Sequence, residues 1–350
     1  MKATLLACVL VPLAVATLQA APPIGIKWDT GPDLLQANAG GMTGMIGDDF
    51  IVAGGTFWHT LDAKRYISWT QIYNTKTGKW RMGPDLPREL AYSLAATVDN
   101  KLYVFGGRGQ GPEPLADGYI LSRVKNPEKG KPDYEWSKGP SLPAPLMFPM
   151  GDAIGSVIYS VGGSADYDGL KTSQAVYALD TKHLDAGWKE LAPMPGPAMG
   201  SFAVAACGGN LYTFGGYRAD TKPPMNVAES YKYDVAANKW SPIRKLPFSA
   251  RAQTALAYDD RYVLIFGFYV ASDREVKLHG NDFGASGCVL LYDTQEDRYE
   301  VLQPMPRAVC EIFFMRKGNM LYGAGGEWVY KIRSPFLFIG EIGPPIEEAK

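Results

Sequence analysis

Histidine is scarce in this chain, with three in 350 residues. Triad hydrolases and histidine-rich metal centres place that residue at the reacting atoms, so both chemistries find little support. No Gly-x-Ser-x-Gly elbow occurs, which weakens the hydrolase reading further. Charge of either sign is not in excess: the net charge is −1, and no global field favours nucleic acid or an anionic membrane. Cysteine is rare, four in all, and the spacing of Cys207, Cys288 and Cys310 suits no metal. These three lie in apolar, strand-like contexts and read as buried free thiols; one bridge among them is the alternative that export would permit. Beyond the first 20 residues no apolar run is long enough to span a bilayer as a helix. Amphipathic helical segments of useful length are missing as well.

The first 20 residues have their own character. Lys2 precedes an apolar run from Ala3 to Leu18, and small residues follow at Ala20 and Ala21. This is the layout of a secretory signal peptide over residues 1–20, cleaved after Ala20. The expectation is an exported protein, periplasmic or extracellular, with no membrane span.

Glycine is abundant, and its placement is periodic. Leu102-Tyr103-Val104-Phe105-Gly106-Gly107 is rewritten along the chain, ending at Gly54-Gly55, Gly162-Gly163, Gly215-Gly216, a degraded Gly267-Phe268, and Gly325-Gly326. The intervals between successive first glycines are 52, 56, 53, 52 and 58 residues. Copies at near-constant spacing are stacked supersecondary units that cannot bury their apolar faces singly. Within one unit the order is an apolar strand (Tyr92 to Val98), a tight turn (Asp99-Asn100), the strand ending at the glycines, a third strand at Gly118 to Leu121, and a fourth around Trp136. Tyr73 and Trp80, and Tyr233 and Trp240, repeat the aromatic pair of the last two strands. Four short strands with Gly and Pro punctuation describe an antiparallel blade.

A glycine pair after an apolar strand, followed by a Tyr and a Trp about six residues apart, resembles the Kelch repeat over nearly all of residues 25 to 333. The resemblance implies an all-β, six-bladed Kelch-type β-propeller. Gly267-Phe268 and Tyr299, which stands where a blade Trp belongs, depart from the pattern in blade five. The last copy supplies a strand at 327–332 and no Trp-bearing fourth strand, while Trp28 is unused near the start. The N-terminal strand is therefore expected to complete the last blade and remove an exposed edge. The domain reading is a leader at 1–20, a propeller at 21–335 and a C-terminal tail at 336–350.

The turns between first and second strands, at Gly47, Asp99, Gly155, Gly208, Asp260 and Gly318, are short and mark a scaffold face. The loops after the glycine pairs vary, so they form the binding face, or mouth. In the sixth copy Glu327-Trp328 follows Gly326 directly, which reads as a notch. Counting back from the glycines aligns rings of residues near the channel mouth: Gly40, Tyr92, Phe148, Ser201, Gln253 and Glu311, then Asn38, Leu90, Leu146, Met199, Arg251 and Val309, then a ring containing Arg88 and Arg307. Arg88, Arg251, Arg307 and Glu311 stand out, since charges near the axis lose water and need partners. Two readings follow: the charges neutralise one another and plug the channel, or surplus guanidinium groups hold a carboxylate or other planar anion. In the second, Tyr92, Gln253 and Asn38 add hydrogen-bonding groups and Phe148 a wall, as a sugar requires. The mouth loops add Phe57-Trp58-His59, Tyr217-Arg218 and the run from Tyr269 to His279, with Arg218 a further binding candidate.

In size and layout the chain is similar to the exported bacterial N-acetylneuraminate epimerases, which are sialic-acid mutarotases. That resemblance implies a cofactor-independent isomerase acting on a small acidic sugar or glycan, without metal. Glu311 is the candidate acid/base, Arg251 and Arg307 the carboxylate clamp, and Arg88 their support. It also implies a Glu directly after a blade glycine with an Arg a short distance on; the stretch Phe214 to Asp220 carries no such Glu. The competing reading is a non-catalytic propeller that binds a glycan or a protein through the same mouth. A copper oxidase of the Kelch type would need two His, two Tyr and a Tyr–Cys crosslink, and only His59 and His279 reach the mouth.

Overall fold

The computed structural model describes residues 22–127, 133–166, 169–221, 224–270 and 284–346. Each repeat folds as its pattern requires. Blade one pairs Met42–Ile46, Asp49–Ala53, Thr70–Asn74 and Lys79–Met82 in sequential antiparallel order. Blades two to six begin at Leu94–Val98, Met150–Ile154, Ala203–Cys207, Thr254–Ala257 and Phe313–Lys317. Among the described residues there are six such four-stranded sheets, and their innermost strands neighbour one another in order, the last meeting the first. The expected β-propeller is the fold. Its core is divided among the blade interfaces, where one blade's apolar face meets the next: Phe266 of blade five stacks on Phe314 of blade six at 4.5 Å.

The N-terminal strand does complete the last blade. Gly25–Thr30 pairs along its whole length with Leu337–Gly343, and Ile26 is 1% exposed. Two expectations about blade six are corrected. Its third strand is Leu337–Gly343, so residues 337–343 belong to the propeller and not to a tail. Residues 327–333 instead fold as a small hairpin of Glu327–Val329 and Ile332–Arg333, which fills the presumed notch. The polar Glu327 and Lys331 put that segment at the mouth, whereas Leu337-Phe338-Ile339 has the burial a blade strand needs. The leader expected at residues 1–20 lies outside the described residues. Cys207, Cys288 and Cys310 are free and buried. No helix among the described residues is long and apolar enough to cross a membrane.

The outer-strand aromatics explain the repeat. Tyr73 faces Trp80 across the strands of its blade, and the Trp80 indole N–H donates to the Pro32 carbonyl in the preceding interblade connection at 2.8 Å. Trp136 donates likewise to Pro84, Trp240 to Ala192 and Trp28 to Gln303. Tyr299 replaces the indole without loss of that bond: its hydroxyl donates to the Arg244 carbonyl at 2.8 Å. The departure in blade five is therefore conservative in function, because the bond needs only a donor on a long flat side chain.

At the axis the blades are joined through their backbones. Gly40, Tyr92, Phe148, Ser201, Ala252 and Glu311 all have positive φ, between 51° and 66°. Bulky residues occupy that region at a cost of about 1–3 kcal/mol each. The conformation lets one blade's N–H reach its neighbour's carbonyl: Tyr92 donates to Gly40, Phe148 to Tyr92, Ala252 to Ser201 and Glu311 to Ala252, at 2.8–3.1 Å. Gly40 donates to Glu311 across the seam between blades one and six at 3.5 Å, at the limit of a hydrogen bond.

Blade five contributes Ala252 to this ring and not Gln253. Its inner hairpin closes through Ala257 opposite Val263, with the Tyr258 N–H donating to the Tyr262 carbonyl, which leaves the three-residue turn Asp259-Asp260-Arg261. The other five inner hairpins close on two residues, as Ile46 opposite Asp49. One extra residue shifts everything before it by one. Arg251 therefore aligns with Cys310, and Gln253 turns into the blade interface. Below the ring the inner strands enclose a cavity of about 420 Å³ lined in part by Thr97, Asp152, Leu256 and Arg316.

Candidate active site at the seam of the ring

The residue following each glycine pair bridges back to the innermost chain: Ala39 to Thr56, Ala91 to Arg108, Met147 to Ser164, Gly200 to Tyr217, Arg251 to Tyr269 and Cys310 to Glu327. Thr56, Arg108, Ser164, Tyr217, Tyr269 and Glu327 thus form a floor around the mouth. Charge is concentrated where blades six, one and two meet. The Arg333 guanidinium is almost fully buried, with Nη1 2.7 Å from Glu327 Oε1 and 4.0 Å from Glu311 Oε2. Its Nη2 donates to Thr56 Oγ1 at 3.1 Å and reaches the Tyr92 hydroxyl at 3.5 Å. That hydroxyl also accepts from Lys64 Nζ at 2.6 Å.

Two hairpins carry most of this cluster. Lys64 lies on the hairpin of Thr56–Thr60 and Ala63–Tyr66, in the mouth loop of blade one. Glu327 and Arg333 face each other as partners across the blade-six hairpin. Glu311 comes from the ring itself, where its left-handed backbone is fixed by the Ala252 carbonyl.

Burial raises the Glu327 carboxyl above its usual range, and the nearby Glu311 charge pushes it the same way; Arg333 only partly opposes them. Burial depresses the Lys64 ammonium, against the attraction of Glu311. Burial and then Glu311 hold the Tyr92 phenol protonated. Arg333 Nε and Glu311 Oε2 are buried without hydrogen-bond partners among the described residues. A buried polar atom left unpaired costs about 1–3 kcal/mol, so these atoms are poised for a polar ligand. Such a site sets two carboxyl groups, one of them raised by burial, around fixed cations.

The sequence candidates fall into three groups. Glu311, Tyr92 and Arg251 lie at the mouth. Arg251 packs its guanidinium 4.8 Å from the Tyr269 ring and 5.7 Å from that of Tyr217, and makes no ion pair among the described residues. Asn38 and Gln253 are 1% exposed and serve the frame: Asn38 Nδ2 donates to the Gly54 carbonyl at 2.8 Å, and Gln253 Nε2 to the Phe214 carbonyl at 2.6 Å. Arg88, Arg218 and Arg307 lie outside the cluster. Arg88 pairs with Asp117 at 2.7 Å, Arg218 with Asp220, and Arg307 covers the Phe336 ring at 4.5 Å. Arg251, Arg307 and Glu311 therefore do not neutralise one another as a plug.

Lys64, Glu327 and Arg333 escaped the reading by residues inward of the glycines. Counting one residue outward from the pair instead finds Glu327 at once. That residue directly follows Gly325-Gly326, with Arg333 six positions on, so the Glu-then-Arg arrangement missing after Gly215-Gly216 is present in blade six.

Comparison with known proteins supports the Kelch reading of the fold. Residues 43–87 match the Kelch motif, and residues 139–272 match the N-acetylneuraminate epimerase family model. The chain carries Kelch repeats and resembles N-acetylneuraminate epimerases. It is 30% identical over 163 residues to the N-acetylneuraminate epimerase of Brucella melitensis, covering 43% of this chain and 40% of that protein. It is 29% identical over 133 residues to a Kelch domain-containing protein of Vibrio cholerae, covering 37% of this chain and 35% of the relative. A longer match, 24% identical over 316 residues, joins it to the Kelch-like protein terF of Aspergillus terreus, across 69% and 64% of the two chains. The chain thus spans well under half the length of the first two relatives.

Proposed function

We propose that this protein is an exported, cofactor-independent mutarotase of an acidic sugar of the N-acetylneuraminate type. The observation that carries the reading is the buried Glu311–Arg333–Glu327 constellation, with Glu327 directly behind a blade glycine pair. Interconversion of anomers needs a proton delivered to the ring oxygen and another removed from the anomeric hydroxyl. Two carboxyl groups held around one guanidinium divide that work. Glu327, whose carboxyl burial raises above its usual range, is placed to act as the acid and Glu311 as the base. Arg333 fixes both carboxylates, and Lys64 and Tyr92 supply donors at the same wall. Arg251, uncommitted to any carboxylate among the described residues, holds the sugar carboxylate from the side of blade five.

The test is NMR of freshly dissolved N-acetylneuraminate with purified protein. Wild type should speed anomer equilibration, and Glu327→Gln and Glu311→Gln should each slow it by at least about 100-fold, the usual range for loss of a general acid or base. Unaltered equilibration with wild type at micromolar enzyme would remove this sugar from the proposal.

A further inference from the structure

We infer that Lys64 is an imine-forming residue, its amine adding to the carbonyl of a 2-keto acid held at the seam of the ring. The inference rests on the mutarotase reading only for the identity of the natural ligand. Ring opening of an N-acetylneuraminate-type sugar exposes a ketone beside its carboxylate, and mutarotation passes through that open-chain form. A reactive carbonyl then arises inside the site, where a lysine nucleophile on the same wall captures it.

The surroundings of Lys64 set it apart. Its Nζ donates to the Tyr92 hydroxyl at 2.6 Å, and lies 4.7 Å from the Tyr92 ring centroid and 5.6 Å from that of Tyr66. No carboxylate forms an ion pair with it among the described residues, and the Arg333 guanidinium reaches the same Tyr92 hydroxyl at 3.5 Å. Lys76 and Lys317 by contrast pair with Asp48, Lys245 pairs with Glu229, and Lys331 donates to the Leu61 carbonyl. An amine placed between rings, beside another cation and without a carboxylate partner, is set up to lose its proton and act as a nucleophile. The rings attract the ammonium but also strip its water, and the loss of water is the larger effect. Burial thus lowers the Lys64 pKa; Glu311, Tyr66 and Glu327 oppose it, and Arg333 adds to it. The side chain is half-buried, so it stays within reach of a ligand at the mouth.

The step needs no oxidant or reductant. The Nζ lone pair attacks the carbonyl carbon to form a C–N bond, and one N–H proton passes to the carbonyl oxygen, giving a carbinolamine. That hydroxyl takes a proton from solvent and leaves as water while the nitrogen lone pair closes the C=N bond. The product is a protonated imine, a cation stabilised by Glu311, whose charge already acts on Lys64. Arg251, which the proposed function assigns to the sugar carboxylate, holds the keto acid by the same group.

Reductive trapping tests the inference. Folded wild type is incubated at neutral pH with pyruvate or with N-acetylneuraminate, reduced with cyanoborohydride, digested and mapped by mass spectrometry. With either probe, the peptide carrying Lys64 should hold at least about tenfold more reduced adduct than any other lysine, since only an amine kept neutral attacks. Lys64→Arg, which keeps a cation beside Tyr92 but cannot form the imine, should lose that adduct. Label spread evenly over the lysines, absent from Lys64, or undiminished in total in Lys64→Arg overturns the inference. Absence of trapping in a protein that speeds anomer equilibration overturns the imine alone. Trapping at Lys64 without that acceleration supports the imine and removes the mutarotase reading, and absence of both overturns both.

Discussion

Arg333 and Glu327 face each other across one two-stranded hairpin, with Nη1 2.7 Å from Oε1. The contact is almost fully buried, so the pair behaves as a unit whose halves are costly to separate. Replacing Arg333 with Met would strand Glu327 and Glu311 without their shared cation. Breaking a buried pair this way destabilises by about 3–5 kcal/mol. Denaturant unfolding at neutral pH should show that loss, and the deficit should shrink in acid as the stranded carboxylates take up protons. A deficit that does not change with pH would show that the two carboxylates are not the source.

Ring closure predicts a different kind of loss. Ile26 fills the interface of blades five and six from the N-terminal strand, and Trp28 donates to Gln303 beside it. Ile26→Ala should cost about 2–5 kcal/mol, as for other large-to-small changes in a packed core. Deleting residues 22–32 should lower the melting temperature sharply, because the last blade then presents an unpaired strand edge.

On the face opposite the mouth, Asp48 closes the same seam by pairing with Lys317 and Lys76. Hydrogen bonds from Lys317 and then Lys76 lower its pKa from the ordinary 3.8 to about 2. A carboxylate depressed in the folded state contributes stability that is complete above its ordinary pKa and is lost as pH falls toward the depressed value. The melting-temperature difference between wild type and Asp48→Asn should be present at pH 6 and vanish near pH 2. A difference that persists in acid would locate the effect in packing.

Arg251 separates binding from chemistry. If it holds the sugar carboxylate equally in ground and transition states, Arg251→Gln should raise KM about tenfold or more with little change in kcat. A fall in kcat at unchanged KM would instead assign it to the reacting centre.

The architecture was legible because its signal is redundant. Glycine pairs, turns and aromatic pairs all recur, so the loss of one glycine at Phe268 or one indole at Tyr299 left the pattern readable. Trp28 announced the closing strand, because an unpaired outer-strand aromatic had to belong somewhere. The site was half legible. Glu311, Tyr92 and Arg251 emerged from counting inward, but the extra turn residue among Asp259, Asp260 and Arg261 displaced that count in blade five and promoted Gln253 in error. Lys64 and Arg333 sit on irregular hairpins whose approach to the axis depends on three-dimensional packing, and no spacing rule within a repeat carries that information.

The charged cluster draws Lys64 and Thr56 from the first blade and Glu311, Glu327 and Arg333 from the last. Nearly 250 residues separate Lys64 from Glu311 in the chain. A growing polypeptide therefore passes through five blades with the cluster incomplete, and the cluster is assembled in a single event, when the final hairpin docks beside the first. Under the proposed function, turnover would be a direct readout of a finished ring, and a truncated or unclosed molecule would be silent towards its ligand however well its individual blades had folded.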